Sequence, residues 1–511
     1  MATAENIFPS VSAPGVQRDG TQFDSDRYID GQWCRFSGEK ARPQKMGGYE
    51  KMFEFEGNVP RGAFVVSTTP LATVYVGDSD ILNAYSVDKN TGMQNGVVVD
   101  RTPILFTTNP YNQWSFDIMT QGQGGPSIIL AMATRNLYSV DQDTETPIYY
   151  GRIDSNDPLI ETGIYVSGGF FVLQNILFFY GSNGEVGYTQ VNDPTTVVNR
   201  APITGTKIIA GRIARGGSNS PSGLLWTLDS LIRVYNSGGD AIEFGFDTIT
   251  SGTSILSANS VTQYNSVFYW VGTDNFYMYN GVCQDWPNTM SKQYFFRNLN
   301  FSQRAKVWMS RNKMYGEIYI HYPSLNSNEC DSMLVYNDTY KVWYDSKIAR
   351  SCGFYSQIFG KPIWIGNGAG PNPDPYIAWR HEVGTDKVID DVHTSIESYF
   401  ETSVMSWASR GPGGQNIAKN VTIFLYELDP DFVQSGDMSL IVNGKRFPNS
   451  NTENSTPYVF NNNPLSPNYK EKIDIREKRR LMTLRFESNI NGGYYEMGNC
   501  LLIPREGDIR P

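Results

Sequence analysis

Short apolar or aromatic runs alternate with polar turns along most of the chain, from about residue 60 to about residue 390. Within each run apolar and polar positions roughly alternate, as in ILNAYSVDKNTG, DSLIRVYNSGG and TDNFYMYNGV. Such alternation is typical of β-strands that bury one face, and turns containing Gly or Asn separate these strands. The pattern therefore predicts a mainly β chain.

Aromatic residues near the strand ends recur roughly every 40 to 60 residues, about the length that the four strands of a propeller blade need. These anchors are Tyr85, Tyr138, Tyr188, Tyr235, Tyr277, Tyr336 and Trp379. A pair of β-sandwiches would also give frequent short strands. The spacing favours a β-propeller of six to seven blades, because closing a ring of sheets hides strand edges that would otherwise aggregate.

The character of the sequence changes after about residue 390. After residue 390, long loops such as the Asn-rich NSNTENSTPYVFNNNPLSPN separate strands such as VTIFLYEL and MSLIVNG. We therefore place a boundary there, and predict a lead-in over 1–60, a propeller over 61–390 and a further β-rich segment over 391–511.

One stretch, residues 288–312, has a helix-permissive composition within the strand-rich region. Ser302 precedes QRAKVWM, and Ser is a favoured residue at a helix N-cap. The sequence predicts a short helix between two blades, beginning near Ser302.

Composition and charge exclude two classes of protein. Hydrophobic residues make up 40% of the chain and charged residues 18%, which excludes a disordered protein. The net charge is −10, and because residues 1–50 and 471–511 are close to neutral, the acidic excess lies between them. An acidic chain is a poor duplex binder, since binding by counterion release needs a basic face.

Motifs for chemistry are missing from the sequence. The five cysteines are scattered without a CxxC pair, so neither a zinc site nor a disulfide framework is indicated, and we expect no metal and no cofactor. His321 lies in a strand-like run without a nucleophile motif such as GxSxG nearby, which favours a structural histidine. We expect no enzymatic activity, although a glycan-binding or glycan-cleaving propeller stays open, because two carboxylates distant in sequence could meet in a funnel. The N-terminal residues lack the features of a signal peptide, and we expect a soluble, non-secreted chain.

Segment 27–52, RYIDGQWCRFSGEKARPQKMGGYEKM, is a basic, glycine-punctuated stretch in an acidic chain. One interpretation is an ordered lead-in whose aromatic residues pack on the fold: Trp33, Phe36 and Tyr49. The other is an assembly interface whose basic side chains meet an acidic surface on a neighbouring subunit. That candidate interface comprises Arg35, Lys40, Arg42, Lys45 and Lys51.

A recognisable pattern runs through four segments: SVFYWVGTDNFYMYNGVCQDWP, NLNFSQRAKVWMSRNKMYGEIYIHYPSLNSNECDSMLVYNDTYKVWY, YIAWRHEVGTD and the C-terminal RLMTLRFESNINGGYYEMGNCLLIPREGDIRP. Its signature residues are Trp270, Tyr277, Gly281, Tyr322, Pro323, Tyr336 and Trp343. In this pattern nearly the whole chain resembles the tail hub or nozzle proteins of short-tailed phages, also called tail tube protein B or DNA-stabilisation proteins. The resemblance implies a propeller with an additional β-rich platform or tip domain formed by the chain ends and insertions, to which 1–60 and 391–511 would belong. It also makes the head-to-tail adaptor a candidate partner of the basic side chains of segment 27–52.

The resemblance implies a structural virion protein of the phage tail, assembled in the host cytoplasm as a homohexameric ring. Such a ring surrounds a channel for double-stranded DNA, which passes without sequence-specific binding. It joins the head-to-tail adaptor to tail fibres or spikes and retains the genome until ejection. The family carries no catalytic residues.

Overall fold

The structure is a computed structural model that describes residues 8–9, 12–23, 25–135, 144–214, 221–238, 243–367, 375–410, 416–418 and 421–507. Most of these residues lie in strands, so the predicted mainly β fold is confirmed. The N-terminal strands are β1 (Phe8–Pro9), β2 (Ala13–Val16), β3 (Arg27–Tyr28), β4 (Asp30–Gln32), β5 (Cys34–Ser37), β6 (Arg42–Lys45) and β7 (Tyr49–Phe55).

Six antiparallel sheets of four strands follow one another along the chain, each built from consecutive strands. Sheet 1 contains β8 (Gly62–Ser67), β9 (Ala72–Gly77), β10 (Leu82–Val87) and β11 (Val99–Asp100). Sheet 2 contains β12 (Gln113–Thr120), β13 (Ser127–Thr134), β14 (Thr146–Arg152) and β15 (Ile160–Val166). Sheet 3 contains β16 (Gly169–Leu173), β17 (Ile176–Tyr180), β18 (Glu185–Thr189) and β19 (Val197–Pro202).

Sheets 4 to 6 repeat this arrangement. Sheet 4 contains β20 (Ile208–Ala214), β21 (Ser222–Thr227), β22 (Leu231–Asn236) and β23 (Phe244–Thr250). Sheet 5 contains β24 (Val261–Tyr264), β25 (Val267–Val271), β26 (Phe276–Tyr279) and β27 (Cys283–Asp285). Sheet 6 contains β28 (Trp308–Asn312), β29 (Glu317–Tyr322), β30 (Ser332–Asn337) and β31 (Val342–Lys347).

Sheet 7 takes one of its strands from the other end of the sequence. After β32 (Cys352–Ser356), β33 (Lys361–Asn367) and β34 (Tyr376–His381), the next strand in the sheet is β7, antiparallel to β34. Two short strands, β35 (Lys387–Ile389) and β36 (Val392–Thr394), extend the sheet beyond β7. The predicted boundary at residue 60 therefore separates β7 from the strand with which it is paired.

The aromatic anchors occupy one position in this repeat. Tyr85, Tyr188, Tyr235, Tyr277, Tyr336 and Trp379 all lie on the third strand of their sheets. Tyr138 lies outside the described residues. The repeat predicted from the sequence is therefore a repeat of four-stranded sheets.

Neighbouring sheets pack through their first strands, which gives the array a propeller-like character. The contacting pairs are β8 with β12, β12 with β16, β16 with β20, β24 with β28, β28 with β32, and β32 with β8. Sheets 4 and 5 share an apolar cluster in which the ring centres of Trp226 and Trp270 are 5.7 Å apart. Sheets 7 and 1 share another, in which Phe53 stacks on Tyr85.

A short helix lies between sheets 5 and 6, as predicted, but it begins earlier. The α-helix α1 (Lys292–Asn298) follows Ser291, whereas Ser302 lies within a 3₁₀ helix (Phe301–Lys306). The carboxylate of Asp19 accepts hydrogen bonds from the backbone amides of Gln293 and Tyr294, at 2.9 and 2.7 Å. This cap comes from a distant part of the chain, so no local signal marked the start of α1, whereas the signal at Ser302 coincides with the 3₁₀ helix. A second 3₁₀ helix covers Ser182–Gly184.

Three further sheets combine strands from both ends of the chain. The C-terminal strands are β37 (Tyr399–Glu401), β38 (Met405–Ser406), β39 (Ala408–Arg410), β40 (Asn416–Ala418), β41 (Ile423–Asp429), β42 (Phe432–Ser435), β43 (Met438–Lys445), β44 (Glu453–Asn454), β45 (Tyr458–Phe460), β46 (Ile473–Arg479), β47 (Leu481–Glu487), β48 (Tyr494–Met497) and β49 (Leu501–Glu506). In these sheets β1 pairs with β49, β4 with β37, and β6 with both β5 and β48. The pairs β2 with β3 and β39 with β40 are separate two-stranded sheets. We call the three mixed sheets the chain-end sheets.

Candidate functional site

Segment 27–52 connects the two parts of the fold. Its strands β4, β5 and β6 belong to the chain-end sheets, and its last strand, β7, begins within it and completes sheet 7. Because this segment contributes strands to both parts, we take it as the candidate functional site.

Arg35 is buried in an ionic cluster with the buried Glu317 and the partly buried Glu382. Its Nε and Nη2 donate to the two carboxylate oxygens of Glu317, each at 2.9 Å, and its Nη1 donates to Glu382 at 2.9 Å. The guanidinium carbon lies over the Tyr315 ring, 3.5 Å from the ring centre. Burial opposes the charge, but the two carboxylates hold the pKa of Arg35 well above its usual value. Arg35 therefore joins the lead-in to sheets 6 and 7 and has no free face for a partner.

Tyrosine hydroxyls complete the same cluster. Tyr319 and Tyr344 both donate to Glu317, which satisfies the remaining lone pairs of this buried carboxylate. Burial, followed by the Glu317 charge, raises the pKa of both tyrosines well above the usual value. A charge pair removed from water in this way is strongly destabilised when one partner is lost.

Lys45 is also buried, with 1% of its surface exposed. Its Nζ donates to the backbone carbonyl of Ser488 at 3.1 Å and so ties the lead-in to the C-terminal region. Burial lowers the pKa of Lys45 to about 8, with Asp386 acting in the opposite direction. Like Arg35, Lys45 is not on the surface predicted from the sequence.

The other three basic residues are more accessible. Arg42 is half-buried and donates to the carbonyl of Gly498, while Lys51 pairs with Glu54 at 2.7 Å and Asp390 at 3.0 Å. Lys40 is exposed in the turn between β5 and β6. The five basic side chains therefore do not lie together on one surface. Lys40, in the turn between β5 and β6, is the exposed residue of the predicted interface. Its role in assembly stays a prediction.

The packing interpretation of segment 27–52 is confirmed. Trp33 and Phe36 are 2% and 1% exposed, and Tyr49 packs against the same core. The Trp33 indole donates to the carbonyl of Gly47 at 3.1 Å, and its ring meets Tyr49 edge-on.

A second buried polar group lies beside this packing. Arg350 Nε donates to His381 Nε2 at 3.2 Å, and the guanidinium lies over the rings of Tyr49 and Trp379, 4.8 and 5.4 Å from their centres. Because His381 accepts this hydrogen bond at Nε2, it is in the neutral form. Burial, followed by the Arg350 charge, lowers the pKa of His381 well below its usual value.

His321 is buried without a hydrogen-bond partner on either ring nitrogen. Its ring stacks on Trp308 with centres 4.0 Å apart. Burial lowers the pKa of His321 well below its usual value. The predicted structural role of His321 agrees with this packing.

The signature residues of the resemblance lie in two sheets and do not form one site. Trp270 and Tyr277 stack within sheet 5, with ring centres 5.5 Å apart. In sheet 6, Tyr336 and Trp343 pack together at 4.8 Å, and Tyr322 is buried and is followed by Pro323. Gly281 lies beyond β26 with a φ of +112°, a conformation that favours glycine.

Sequence reasoning missed Glu317, Glu382 and Arg350. The one local signal was Glu317, a carboxylate at the start of the strand EIYIHY, whose other residues are Ile, Tyr and His. A carboxylate at a buried strand position needs a cation, but the sequence gave no indication that Arg35 supplies it.

Two further observations concern only the described residues. They contain no group of three or more His, Cys, Asp or Glu side chains that could hold a metal ion. None of the helices in this part of the chain has the length and apolar character that crossing a membrane requires.

Comparisons with known proteins give little information. No protein-family model and no curated protein sequence matches the chain. Among solved structures, the crystal structure of Chaetomium thermophilum Raptor is similar to it with a TM-score of 0.39 and 9% sequence identity. The match covers 66% of this chain and 29% of Raptor, and it adds nothing to the fold described above.

Proposed function

We propose that this chain is a structural tail hub, or nozzle, protein of a short-tailed phage. In this role six copies form a ring around the DNA channel, join the head-to-tail adaptor to tail fibres or spikes, and retain the genome until ejection. The protein has no enzymatic activity of its own and acts in the virion after assembly in the host cytoplasm.

One observation carries the proposal: strands from both chain ends form shared sheets beside seven consecutive small sheets. This agrees with the arrangement that the sequence resemblance implies, a propeller with a platform or tip built from the chain ends. A hub needs separate faces for separate partners, and two β-rich parts joined by buried charges offer such faces on one subunit.

We further propose that the seven sheets are the blades of a closed propeller. The contact of β32 with β8 and the apolar cluster shared by sheets 7 and 1 support closure. In sheet 7 the last strand comes from the N-terminal segment, so the two ends of the repeat array are held together by a strand pairing. Closure of this kind removes exposed sheet edges.

The negative net charge of the chain is compatible with a channel through which DNA passes without being bound. A net charge of −10 repels duplex phosphates at short range and limits adhesion during passage.

The test is assembly of the full chain, expressed alone and together with the adaptor protein of the same phage. Negative-stain microscopy is expected to give rings with sixfold symmetry or rings bound to the adaptor, and mass spectrometry of purified virions should detect the chain. A protein that stays monomeric with its adaptor and is absent from virions would exclude a hub. A glycan-binding or glycan-cleaving protein remains the alternative, and retention on a glycan array or cleavage of host polysaccharide would favour it.

A further inference from the structure

A cavity of about 330 Å³ lies where the first strands of several sheets converge. Residues of β8, β12, β20, β24, β28 and β32 line it, so it is shared by sheets 1, 2, 4, 5, 6 and 7. A cavity of this volume is within the usual range for a small-molecule site.

Two arginines line this cavity, Arg212 on β20 and Arg311 on β28. Arg212 donates to the carbonyls of Gly211 and Ala258, at 2.8 and 2.9 Å, and Arg311 donates to the carbonyl of Gln263. Among the described residues that line the cavity there is no Asp or Glu. Two guanidinium groups therefore share a concave site without a carboxylate, in a chain whose net charge is −10.

The electrostatic environment of Arg311 agrees with a guanidinium that has no carboxylate partner in the cavity lining. Burial lowers the pKa of Arg311, and the group that opposes this effect is the Tyr355 phenol. A guanidinium removed from water normally gains a carboxylate or phosphate as partner, because its planar fork of donors fits two oxygens. Elsewhere in the protein the buried Arg35 has such partners. Among the described residues, the partners found for Arg311 are the backbone carbonyl of Gln263 and the ring of Tyr355, over which the guanidinium lies at 6.0 Å from the ring centre.

The rest of the lining suits a small polar molecule. Asn259 and Thr262 add uncharged hydrogen-bonding side chains, and the half-buried ring of Tyr355, next to Arg311, adds an aromatic face. Such a mixture of apolar walls with a few convergent polar groups is typical of ligand sites.

We propose that this central cavity binds a small oxyanion, either a carboxylate or a phosphate group, with Arg212 and Arg311 as the charged donors. The two sources differ in the molecule that carries the oxyanion: an acidic sugar would place its ring against Tyr355, whereas a phosphate needs only the donors. This site is separate from segment 27–52 and does not depend on the function of the chain in assembly.

Isothermal titration calorimetry of the full chain tests the proposal with three probes: inorganic phosphate, D-glucuronate and, as the uncharged match of glucuronate, D-glucose. We expect phosphate or glucuronate to bind and glucose not to bind. Glucuronate without phosphate would assign an acidic sugar, and the reverse would assign phosphate. No heat from either anion at concentrations up to about 10 mM, well beyond a millimolar Kd, would overturn the proposal.

Substitutions locate the binding. Arg311→Met and Arg212→Met should each weaken anion binding at least tenfold, and Arg311→Lys, which keeps the charge, should weaken it less. Lys313→Met, at an exposed position two residues beyond Arg311, is the matched control and should bind as the unaltered chain does. Thermal melting shows whether each variant folds. If Arg311→Met does not fold, binding is measured with Arg212→Met and Arg311→Lys instead. Anion binding that survives both methionine substitutions, or is lost equally in Lys313→Met, would overturn the assignment.

Discussion

The guanidinium of Arg35 and the carboxylate of Glu317 form two parallel hydrogen bonds of 2.9 Å each, although 282 positions separate them in the sequence. Both side chains are buried, with exposed fractions of 1% and 0%. The pair joins β5, in the chain-end sheets, to β29, in sheet 6. A basic residue that appeared to be available for a partner is in fact a connection within one subunit.

Arg35→Met is expected to destabilise the chain by about 3–5 kcal/mol, because it leaves the carboxylates of Glu317 and Glu382 buried without their cation. Chemical denaturation followed by tryptophan fluorescence measures this loss. Lys40→Met, which removes an exposed positive charge from the adjoining turn, is the control and should change the free energy of unfolding by less than about 0.5 kcal/mol. Equal effects of the two substitutions would contradict the buried cluster.

The stability of the fold should fall as the pH decreases below about 6.5. The folded state keeps the pKa of His321 and His381 well below the usual value of 6.5, so at lower pH the unfolded chain binds protons that the folded chain does not. Each histidine then contributes a slope of up to about 1.4 kcal/mol per pH unit. Denaturation series between pH 8 and pH 5 measure this slope.

His321→Phe separates this effect from the titration of carboxylates. The substitution keeps a ring against Trp308 and removes two unpaired nitrogens, so we expect a shallower pH dependence with no loss of stability at pH 8. Ile320→Val, at a buried position on the same strand, is the control: it should cost about 0.5–1.5 kcal/mol at every pH and leave the slope unchanged. An unaltered slope in His321→Phe would show that this histidine does not titrate on unfolding.

Lys40→Glu is the appropriate test of assembly through segment 27–52. Reversal of Arg42 together with Lys45 would be ambiguous, because Lys45 is buried and a carboxylate there would face Asp386. If the turn meets an acidic surface, Lys40→Glu should slow ring or adaptor assembly and make it less sensitive to salt, while the monomer melts normally. Light scattering over a salt series measures this. Lys313→Glu, at an exposed lysine in the turn between β28 and β29, is the control; equal assembly of both variants would reject the role of Lys40.

Local patterns predicted the repeat but not its connections. Tyr85, Tyr188 and Tyr235 each lie on the third strand of a four-stranded sheet. These strands could be predicted because a strand of a small sheet alternates buried and exposed positions, and this alternation is visible within a few residues. The pairing of β7 with β34 depends on a contact between distant parts of the chain, and no local signal specifies it.

The same limit applies to the candidate site. The positive charge of Arg35 and Lys45 can be read from the sequence, but their burial follows from the packing of both chain ends. The start of α1 was misplaced for a similar reason, since Asp19 provides its cap from the lead-in. A local pattern indicates what a residue can do, whereas its surroundings determine which of these roles it takes.

Closure of the array between sheets 7 and 1 can be measured through Phe53 and Tyr85. Phe53 lies on β7 and Tyr85 on β10, and their rings stack with centres 4.1 Å apart and planes inclined by 14°. In a double-mutant cycle with Phe53→Leu and Tyr85→Leu, the coupling free energy should be about 0.5–1.5 kcal/mol, the range for aromatic pairs.

The matched control for this cycle pairs Phe53→Leu with Phe178→Leu. Phe178 is fully buried in sheet 3, in an apolar cluster that does not include Phe53, so the two substitutions should be additive within about 0.5 kcal/mol. Equilibrium denaturation of the four chains in each cycle gives both numbers. Additivity of Phe53→Leu with Tyr85→Leu as well would mean that β7 does not hold sheets 7 and 1 together in solution. A coupling confined to the Phe53–Tyr85 cycle would instead support a ring of sheets closed by a strand from the opposite end of the chain.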